Sequence, residues 1–175
     1  MTVALWLWRF WVYSFLGYLL EKGFAAATHA ERQVRKCFLL LPMCPVYGLG
    51  VLAALALPER LAGTFSGMVL WGGLAATAVE YVVHWLYEQL AGVSFWDYSN
   101  MPWNIRGRVC LPFSIIWGLL LALFLPWAER RLTPVLMAVP RPLTYGMLLL
   151  FTVDAVCSLR FLRLTHDTEG LRLGA

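Results

Sequence analysis

Acidic residues inside long apolar segments are the side chains of this sequence whose types and positions could do chemistry. Glu21, Glu80 and Asp154 lie within the runs LGYLLEKG, ATAVEYVVHWLYEQ and LLFTVDAVCS, and Glu88 and Asp97 lie at the polar border of such a run. A carboxylate in the hydrocarbon of a bilayer costs roughly 2.5–3.5 kcal/mol. We therefore expect these carboxylates to face one another, a cavity or a bound cation, and not lipid.

The spacing of Glu80, His84 and Glu88 places them on one face of a helix, because they recur every four residues. In this arrangement Glu80 and His84 could bind one metal ion or relay one proton, whereas Glu88 lies further along the axis. A hydrated position at the membrane interface is the other interpretation for His84 and Glu88, and it is the favoured one for His84, because a lone histidine more often has ordinary polar partners than a metal ligand role. For Glu80, which lies nearer the middle of the apolar segment, the position favours a functional role.

A polar and aromatic segment follows this helix. Its candidate binding residues are Trp96, Asp97, Tyr98, Ser99, Asn104 and Arg108, and Ser114 and Trp117 follow at the start of the next apolar run. Tryptophan and tyrosine are common at the level of the lipid headgroups, so an interfacial belt is one interpretation. The density of charge favours a loop folded into the mouth of the bundle, in which Arg108 pairs with Asp97 or Glu88.

Proline and glycine interrupt the second apolar run, LPMCPVYGLG, at Pro42, Pro45 and Gly48, next to Tyr47. Such residues break or kink a helix. A broken helix within a membrane is tolerated where it lines a cavity or is buried in protein. Its ends can then bind ions or polar groups, as they do in transporters. A kink with close helix packing is the alternative.

The composition indicates an integral membrane protein, since 61% of the 175 residues are hydrophobic and 14% are charged. We predict an all-α fold with a single transmembrane domain over residues 1–175. It is a bundle of about five transmembrane helices, with an aromatic polar loop between helices 3 and 4. The predicted spans are about 3–20, 38–57, 64–90, 111–127 and 143–162, with a polar connection over 128–142. The four cysteines form no CxxC motif, and we expect free thiols.

The distribution of basic residues predicts the orientation. Nine of them fall in connections on one side of the predicted bundle: Lys22, Arg32, Arg35, Lys36, Arg106, Arg108, Arg160, Arg163 and Arg172. The positive-inside rule places this side in the cytoplasm and the amino terminus outside, in a multi-pass protein of the inner (plasma) membrane. Charges beside spans are typical of topology signals, so we expect no nucleic-acid binding. We also expect no ATP hydrolysis through a P-loop, because no GxxxxGK[ST] motif occurs.

Five segments of the chain resemble the CmpB-like membrane proteins, the family called putative ABC-transporter type IV. They are FWVYSFLGYLLE (10–21), FLLLPMCPVYGLG (38–50), VEYVVHWLYE (79–88), FWDYSNMPWNIRGRVCLPFSIIWG (95–118) and VDAVCS (153–158). The most specific part is the third-loop pattern WDYS…N…GR…S..WG. The family's motif positions carry over to Glu21, Pro45, Tyr47, Gly48, Glu80, Glu88, Trp96, Asp97, Tyr98, Ser99, Asn104, Gly107, Arg108, Ser114, Trp117 and Asp154. The resemblance implies a role in transport and names no substrate.

We predict a small transporter or permease-type subunit, with a pathway lined by Glu21, Tyr47, Glu80, His84, Glu88 and Asp154. The loop from Trp96 to Arg108 would bind or gate a polar substrate. Two alternatives stay open: an intramembrane enzyme acting on a lipid or isoprenoid substrate, and a structural or regulatory membrane subunit. The enzyme is less favoured, because no HExxH, GxSxG or DDxxD pattern occurs. We predict no metal site and no cofactor. The expected partners are membrane lipid and either a second copy of the chain or a separate subunit.

Overall fold

The computed structural model describes residues 2–28 and 39–168, and helices dominate this part of the chain. The elements are α1 (Val3–Ala27), α2 (Pro45–Leu55), α3 (Glu59–Ala62), α4 (Phe65–Gly67), a π-helical turn (Met68–Gly72), α5 (Gly73–Ala91), β1 (Asn104–Ile105), β2 (Val109–Cys110), α6 (Leu111–Met137) and α7 (Arg141–Thr165). The strands β1 and β2 form a short antiparallel hairpin. The prediction of a mostly helical fold is confirmed. Of the nine basic residues predicted on one side of the bundle, Arg32, Arg35, Lys36 and Arg172 lie outside the described residues.

Glycines bring α1 and α2 into close antiparallel contact. A Cβ atom on Gly17 would overlap the ring of Tyr47, and one on Gly48 would overlap the hydroxyl of Ser14. Small residues at such contacts are common between membrane helices, because they let the backbones approach. The contact holds α2 against the middle of α1, at the level of Ser14 and Gly17.

The second apolar run is not the single span predicted over 38–57. Helix α2 has 11 residues, so it is about 16 Å long, half the roughly 30 Å of the hydrocarbon core. Pro45 is its first residue, a position where the missing N–H is not needed. Residues 39–44 are non-helical, and the Cys44 N–H donates to the Ser14 carbonyl at 2.9 Å. Irregular backbone therefore lies at the depth of the middle of α1.

The expectation of four free thiols is wrong, because Cys44 is disulfide-bonded. Cys110 and Cys157 are free, the first buried and the second exposed.

Helix α6 packs closely against the π-helical turn and α5. A Cβ on Gly118 would overlap the Val69 carbonyl, and one on Gly73 would lie 3.1 Å from the Ser114 carbonyl. The segments α4, π-helical turn and α5 form one continuous helix over Phe65–Ala91, close to the predicted third span. It ends at Gly92, whose φ of 67° is a left-handed conformation that glycine adopts without a Cβ clash.

Helix α6 continues well beyond the predicted fourth span. It has 27 residues and ends at Met137, so the polar connection predicted over 128–142 is wrong, and residues 138–140 alone join α6 to α7. Pro126 and Pro134 lie inside the helix. Prolines are tolerated in membrane helices because neighbouring helices and side chains satisfy the freed backbone groups.

In the part of the chain that the structure describes, three helices are long and apolar enough to cross a membrane: α1, the continuous helix Phe65–Ala91, and α6. They identify a membrane protein, and the predicted count of about five spans is not confirmed. Helix α2 is too short to cross alone. Helix α7 has 25 residues but carries Asp154 near its centre, and it is not among the three.

Helix α7 runs alongside α1 in the same direction. Near its start, Thr144 accepts a hydrogen bond from Trp8 Nε1 at 2.9 Å. Near its end, Arg163 Nε donates to the Leu90 carbonyl at 2.6 Å. The carboxyl-terminal ends of α5 and α7 therefore lie together at one end of the bundle.

Candidate functional site

A cavity of about 420 Å³ lies between α1 and α6, with α2 and α5 behind it. This volume is within the range of small-molecule sites, roughly 300–1,000 Å³. Most of its lining is apolar, and the residues along its edge, Leu16, Leu20, Phe124 and Trp127, are exposed on the outside of the bundle. An extended exposed apolar surface on a membrane protein is a lipid-contacting surface. The cavity therefore opens sideways, towards the bilayer.

Glu80, on α5, is one of the residues that line the cavity. Only 4% of this residue is exposed. Tyr98 donates a hydrogen bond to its Oε1 at 3.1 Å, and Trp117 Nε1 donates to its Oε2 at 3.1 Å. Burial raises the pKa of the Tyr98 phenol, and the charge of Glu80 raises it further, so Tyr98 remains a donor. The loop and α6 together fix the direction of the carboxylate.

Tyr47 connects this end of the cavity with Glu21. Its hydroxyl donates a hydrogen bond to Glu21 Oε1, and its ring meets the Trp117 ring edge to face, with centroids 5.4 Å apart. Tyr47 and Trp117 both line the cavity, and Glu21 is reached through Tyr47. Glu21 and Glu80, from α1 and α5, are therefore both positioned at this end of the cavity by aromatic side chains.

An ion pair that the sequence reasoning missed lies at the opposite end. Arg9 of α1 pairs with Glu129 of α6. Glu129 also accepts hydrogen bonds from Tyr13 at 2.9 Å and Thr133 at 3.0 Å. The available signal was Arg9 itself, because an arginine inside an apolar run requires an acidic partner. Arg9 and Glu21 are about 18 Å apart by helical rise, so the cavity lies between two polar layers.

Asp154 does not join Glu21 and Glu80, which corrects the expectation that the three acids would converge. Its Oδ1 accepts a hydrogen bond from the Leu40 N–H at 3.1 Å, and its Oδ2 accepts one from the Leu41 N–H at 3.1 Å. The Ser158 hydroxyl donates to Oδ1 at 3.2 Å. Asp154 therefore accepts hydrogen bonds from backbone N–H groups of the non-helical segment before α2, and its role is to hold this segment in place.

A second network holds the loop against α5. His84 Nε2 lies 2.9 Å from the Trp96 carbonyl and 3.1 Å from the Ser94 hydroxyl. His84 Nδ1 lies 3.4 Å from Glu88 Oε1. Arg108 Nη2 donates to Glu88 Oε2 at 2.6 Å. Of the two partners predicted for Arg108, Asp97 and Glu88, the structure therefore shows Glu88.

Arg108 has a second partner on the same helix, Tyr81. Its Nη1 donates to the Tyr81 hydroxyl at 2.8 Å, and its guanidinium lies 5.0 Å from the centre of the Tyr81 ring. Trp96 Nε1 donates to the Arg108 carbonyl at 2.9 Å. In these hydrogen bonds His84 bonds Trp96 and Ser94, whereas Glu80 bonds Tyr98 and Trp117. Among the described residues, no group of three or more His, Cys, Asp or Glu side chains could hold a metal ion.

The remaining polar loop residues shape the turn. Asp97 Oδ1 accepts hydrogen bonds from the Ser99 N–H at 2.8 Å and the Ser99 hydroxyl at 2.6 Å. These bonds lower the pKa of Asp97. Asn104 Nδ2 donates to the Ser99 carbonyl at 3.2 Å, and the Gly107 N–H donates to Asn104 Oδ1 at 3.0 Å. Asp97 is exposed and its described bonds are local, so the predicted alternative pairing with Arg108 is not observed.

The predicted helix-break residues act on the backbone. Pro42 lies exposed in the bend before α2, Pro45 starts α2 and Gly48 is buried against α1. The Ser114 hydroxyl donates to the Cys110 carbonyl of its own helix turn at 3.0 Å. Of the site residues predicted from the sequence, those that line the cavity are Tyr47, Glu80 and Trp117.

Comparison with known proteins gives one family. The sequence matches the model of the family described as Putative ABC-transporter type IV over residues 8–159. The match therefore includes every described residue that lines the cavity, from Tyr13 to Ala128. No curated protein and no solved structure matches the chain.

Proposed function

Because the chain belongs to the Putative ABC-transporter type IV family, we propose that it is a permease-type membrane subunit whose cavity between α1 and α6 binds the transported molecule. One observation carries this proposal: Glu80, an acidic residue at membrane depth, lines an otherwise largely apolar cavity. A carboxylate at membrane depth costs free energy, and such residues commonly mark substrate or ion pathways. Binding of a polar or charged group in the cavity accounts for its position.

The two polar layers at the ends of the cavity support a gated path. The Arg9–Glu129 pair joins α1 to α6, and the Tyr47–Glu21 hydrogen bond joins α2 to α1. Each layer therefore opens when one helix moves away from another. Transporters commonly place a binding site near the bilayer midplane beside a broken helix and move helices around it. The half-length helix α2, which forms part of the cavity wall, fits this arrangement.

The proposal includes a partner for this chain. Its 175 residues contain no GxxxxGK[ST] motif that would bind a nucleotide as an energy source. A second copy of the chain would complete the pathway for downhill movement, which proteoliposomes measure, and a separate subunit would supply the energy for uptake against a gradient.

The orientation is also part of the proposal. Lys22, Arg106 and Arg163 lie on α1, the polar loop and α7, at the same end of the bundle as the Arg163–Leu90 contact. The positive-inside rule places this end in the cytoplasm. Disulfides persist in oxidising compartments, but Cys44 lies at the depth of Ser14 and not at either end, so its disulfide does not decide the orientation. Ser99→Cys, in the exposed loop, should react with a membrane-impermeant maleimide after cell lysis and not in intact cells. Labelling in intact cells would show that the opposite orientation is correct.

Transport is tested by uptake into proteoliposomes. The panel consists of radiolabelled organic cations, organic anions, zwitterionic amino acids and sugars, and wild type is compared with Glu80→Gln. Glu59→Gln is the matched control, because Glu59 is an exposed acid in α3, away from the cavity. We expect at least one class to enter with wild type and Glu59→Gln and to lose most of its uptake with Glu80→Gln. Uptake equal to that of protein-free liposomes for every class, or unaffected by Glu80→Gln, would refute the proposal.

A structural or regulatory subunit is the second candidate, and the internal pairing of Asp154, Glu88 and Glu129 favours it. In that case Glu80 would serve to lock Tyr98 and Trp117 in place. Glu80→Gln would then lower the thermal stability without selectively abolishing uptake of any compound.

A further inference from the structure

The cavity wall combines aromatic rings with a carboxylate. Tyr13, Tyr47, Trp117 and Phe124 line it together with Glu80. The face of an aromatic ring carries partial negative charge and attracts cations, and aromatic cages are a recurring way to bind quaternary ammonium groups. The same lining offers little to an anion, because both the rings and the carboxylate repel negative charge.

The opening of the cavity indicates the rest of the ligand. Leu16, Leu20 and Phe124 form its edge and are 42%, 43% and 58% exposed on the outer surface of the bundle. A molecule that enters from this side must first dissolve in the bilayer. Its body is therefore apolar, and its charge must enter an apolar cavity to approach Glu80.

A zwitterionic phospholipid fits less well than a net cation. Its phosphate is adjacent to its ammonium group, so binding would bring a second negative charge towards Glu80 in a setting of low dielectric constant, where like charges interact strongly. Of the arginines described at the opposite end of the cavity, Arg9 is engaged by Glu129, and the Arg131 guanidinium lies 5.1 Å from the centre of the Trp127 ring.

We propose that the cavity between α1 and α6 is a binding site for lipophilic organic cations, with the cationic centre at Glu80 and the apolar body along Leu16, Leu20 and Phe124. This inference rests on the proposed function in that it names the substrate class of the same site. It concerns equilibrium binding, so it can be tested without any transport measurement.

The test uses tetraphenylphosphonium and tetraphenylborate, two ions of the same shape and opposite charge, with the full chain in lipid nanodiscs. Bound radiolabel is measured by equilibrium dialysis, and empty nanodiscs are subtracted to remove partition into lipid. We expect saturable binding of the phosphonium and none of the borate. Glu80→Gln should weaken phosphonium binding at least about tenfold, since removing one partner of a buried charge pair has a large effect. Glu59→Gln should leave it unchanged.

A second pair of variants keeps the test valid if Glu80→Gln fails to fold. Phe124→Leu removes an aromatic face from the edge of the cavity and should weaken phosphonium binding about two- to fivefold. Phe65→Leu is its control, because Phe65 is 56% exposed and lies in α4, outside the cavity. Both sites are on the outer surface, so neither change opens the core.

Three results would overturn the cation site: no saturable phosphonium binding to wild type, equal binding of the borate, or equal affinities for Phe124→Leu and Phe65→Leu. Uptake of anions, amino acids or sugars in proteoliposomes, together with no phosphonium binding, would refute lipophilic cations as the substrate class. The proposal that the chain is a transporter would still stand. Phosphonium binding without uptake of any compound would support the site and refute transport.

Discussion

Replacement of Asp154 gives the sharpest test of how the fold supports the cavity. This carboxylate accepts hydrogen bonds from the N–H groups of Leu40 and Leu41, both at 3.1 Å, and from the Ser158 hydroxyl at 3.2 Å. Asp154 is 7% exposed, so water does not readily replace it. Without the carboxylate, the non-helical segment before α2 has unsatisfied donors in the interior of the bundle.

The size of the effect follows from the number of donors. Each buried N–H group left without an acceptor costs about 1–3 kcal/mol, so Asp154→Leu should lower the free energy of unfolding by about 2–6 kcal/mol. The value should lie in the lower half of this range, because Leu40 keeps a second acceptor, Ser158 Oγ, at 3.3 Å. Asp154→Asn keeps one oxygen and should lower the free energy by about 1–3 kcal/mol.

The assay is reversible unfolding in mixed micelles with increasing sodium dodecyl sulfate, followed by tryptophan fluorescence. Thr152→Val is the matched control on the same helix, because Thr152 is exposed and bonds only the Leu148 carbonyl of its own helix in the described structure. It should change the free energy by no more than about 0.5 kcal/mol. If Asp154→Leu behaves like Thr152→Val, Asp154 does not support the segment and the structural assignment is wrong.

Three further predictions concern packing, the ion pair and the loop. Arg9→Met should lower the free energy of unfolding by about 3–5 kcal/mol by leaving Glu129 uncompensated, and the double variant with Glu129→Gln should recover part of this loss in the same assay. Gly118→Ala should lower it by about 1–3 kcal/mol, because the new Cβ overlaps a carbonyl of the π-helical turn, whereas Gly146→Ala, with no heavy atom within 4 Å of its Cβ, should not lower it. The lowered pKa of Asp97 contributes stability that is present above the usual aspartate pKa, about 3.9, and is lost as the pH falls through the folded value. The thermal stability of wild type and of Asp97→Asn should therefore converge below pH 4, and a constant difference from pH 6 to pH 3 would contradict this.

The sequence predicted the features that depend on local pattern. The third span was placed within a residue of the continuous helix Phe65–Ala91, because its apolar run is long and uninterrupted. The interruption at Pro45 and Gly48 was also evident, since proline and glycine have known backbone consequences. Arg108 was expected to pair with an acid, and Glu88 is that acid.

The sequence could not predict which helices meet. Glu129 and Pro134 suggested a polar connection, yet they lie inside α6, because Arg9 and Tyr13 of α1 supply partners for Glu129 across the bundle. A local pattern contains no information on partners more than a hundred residues away.

The same limit applies to Asp154. Its apolar surroundings suggested a place in a pathway, whereas its hydrogen bonds go to backbone groups before α2. The exact depth of that segment depends on the packing of α1, α2 and α7 and not on its own sequence.

The three acids within the apolar segments, Glu21, Glu80 and Asp154, and the Glu129 of α6 differ in where their hydrogen bonds lead, and this difference locates function. The partners of Asp154 are backbone N–H groups, and those of Glu129 include an arginine; among the described residues that line the cavity, neither acid appears. Glu80 does appear there, held by Tyr98 and Trp117 from two different elements. A change in charge at Asp154 or Glu129 therefore acts through the stability of the bundle, whereas a change at Glu80 also alters a surface that a ligand can reach. Variants at all three positions should separate in one experiment: unfolding should respond at each, and ligand binding measured on the folded fraction should respond at Glu80.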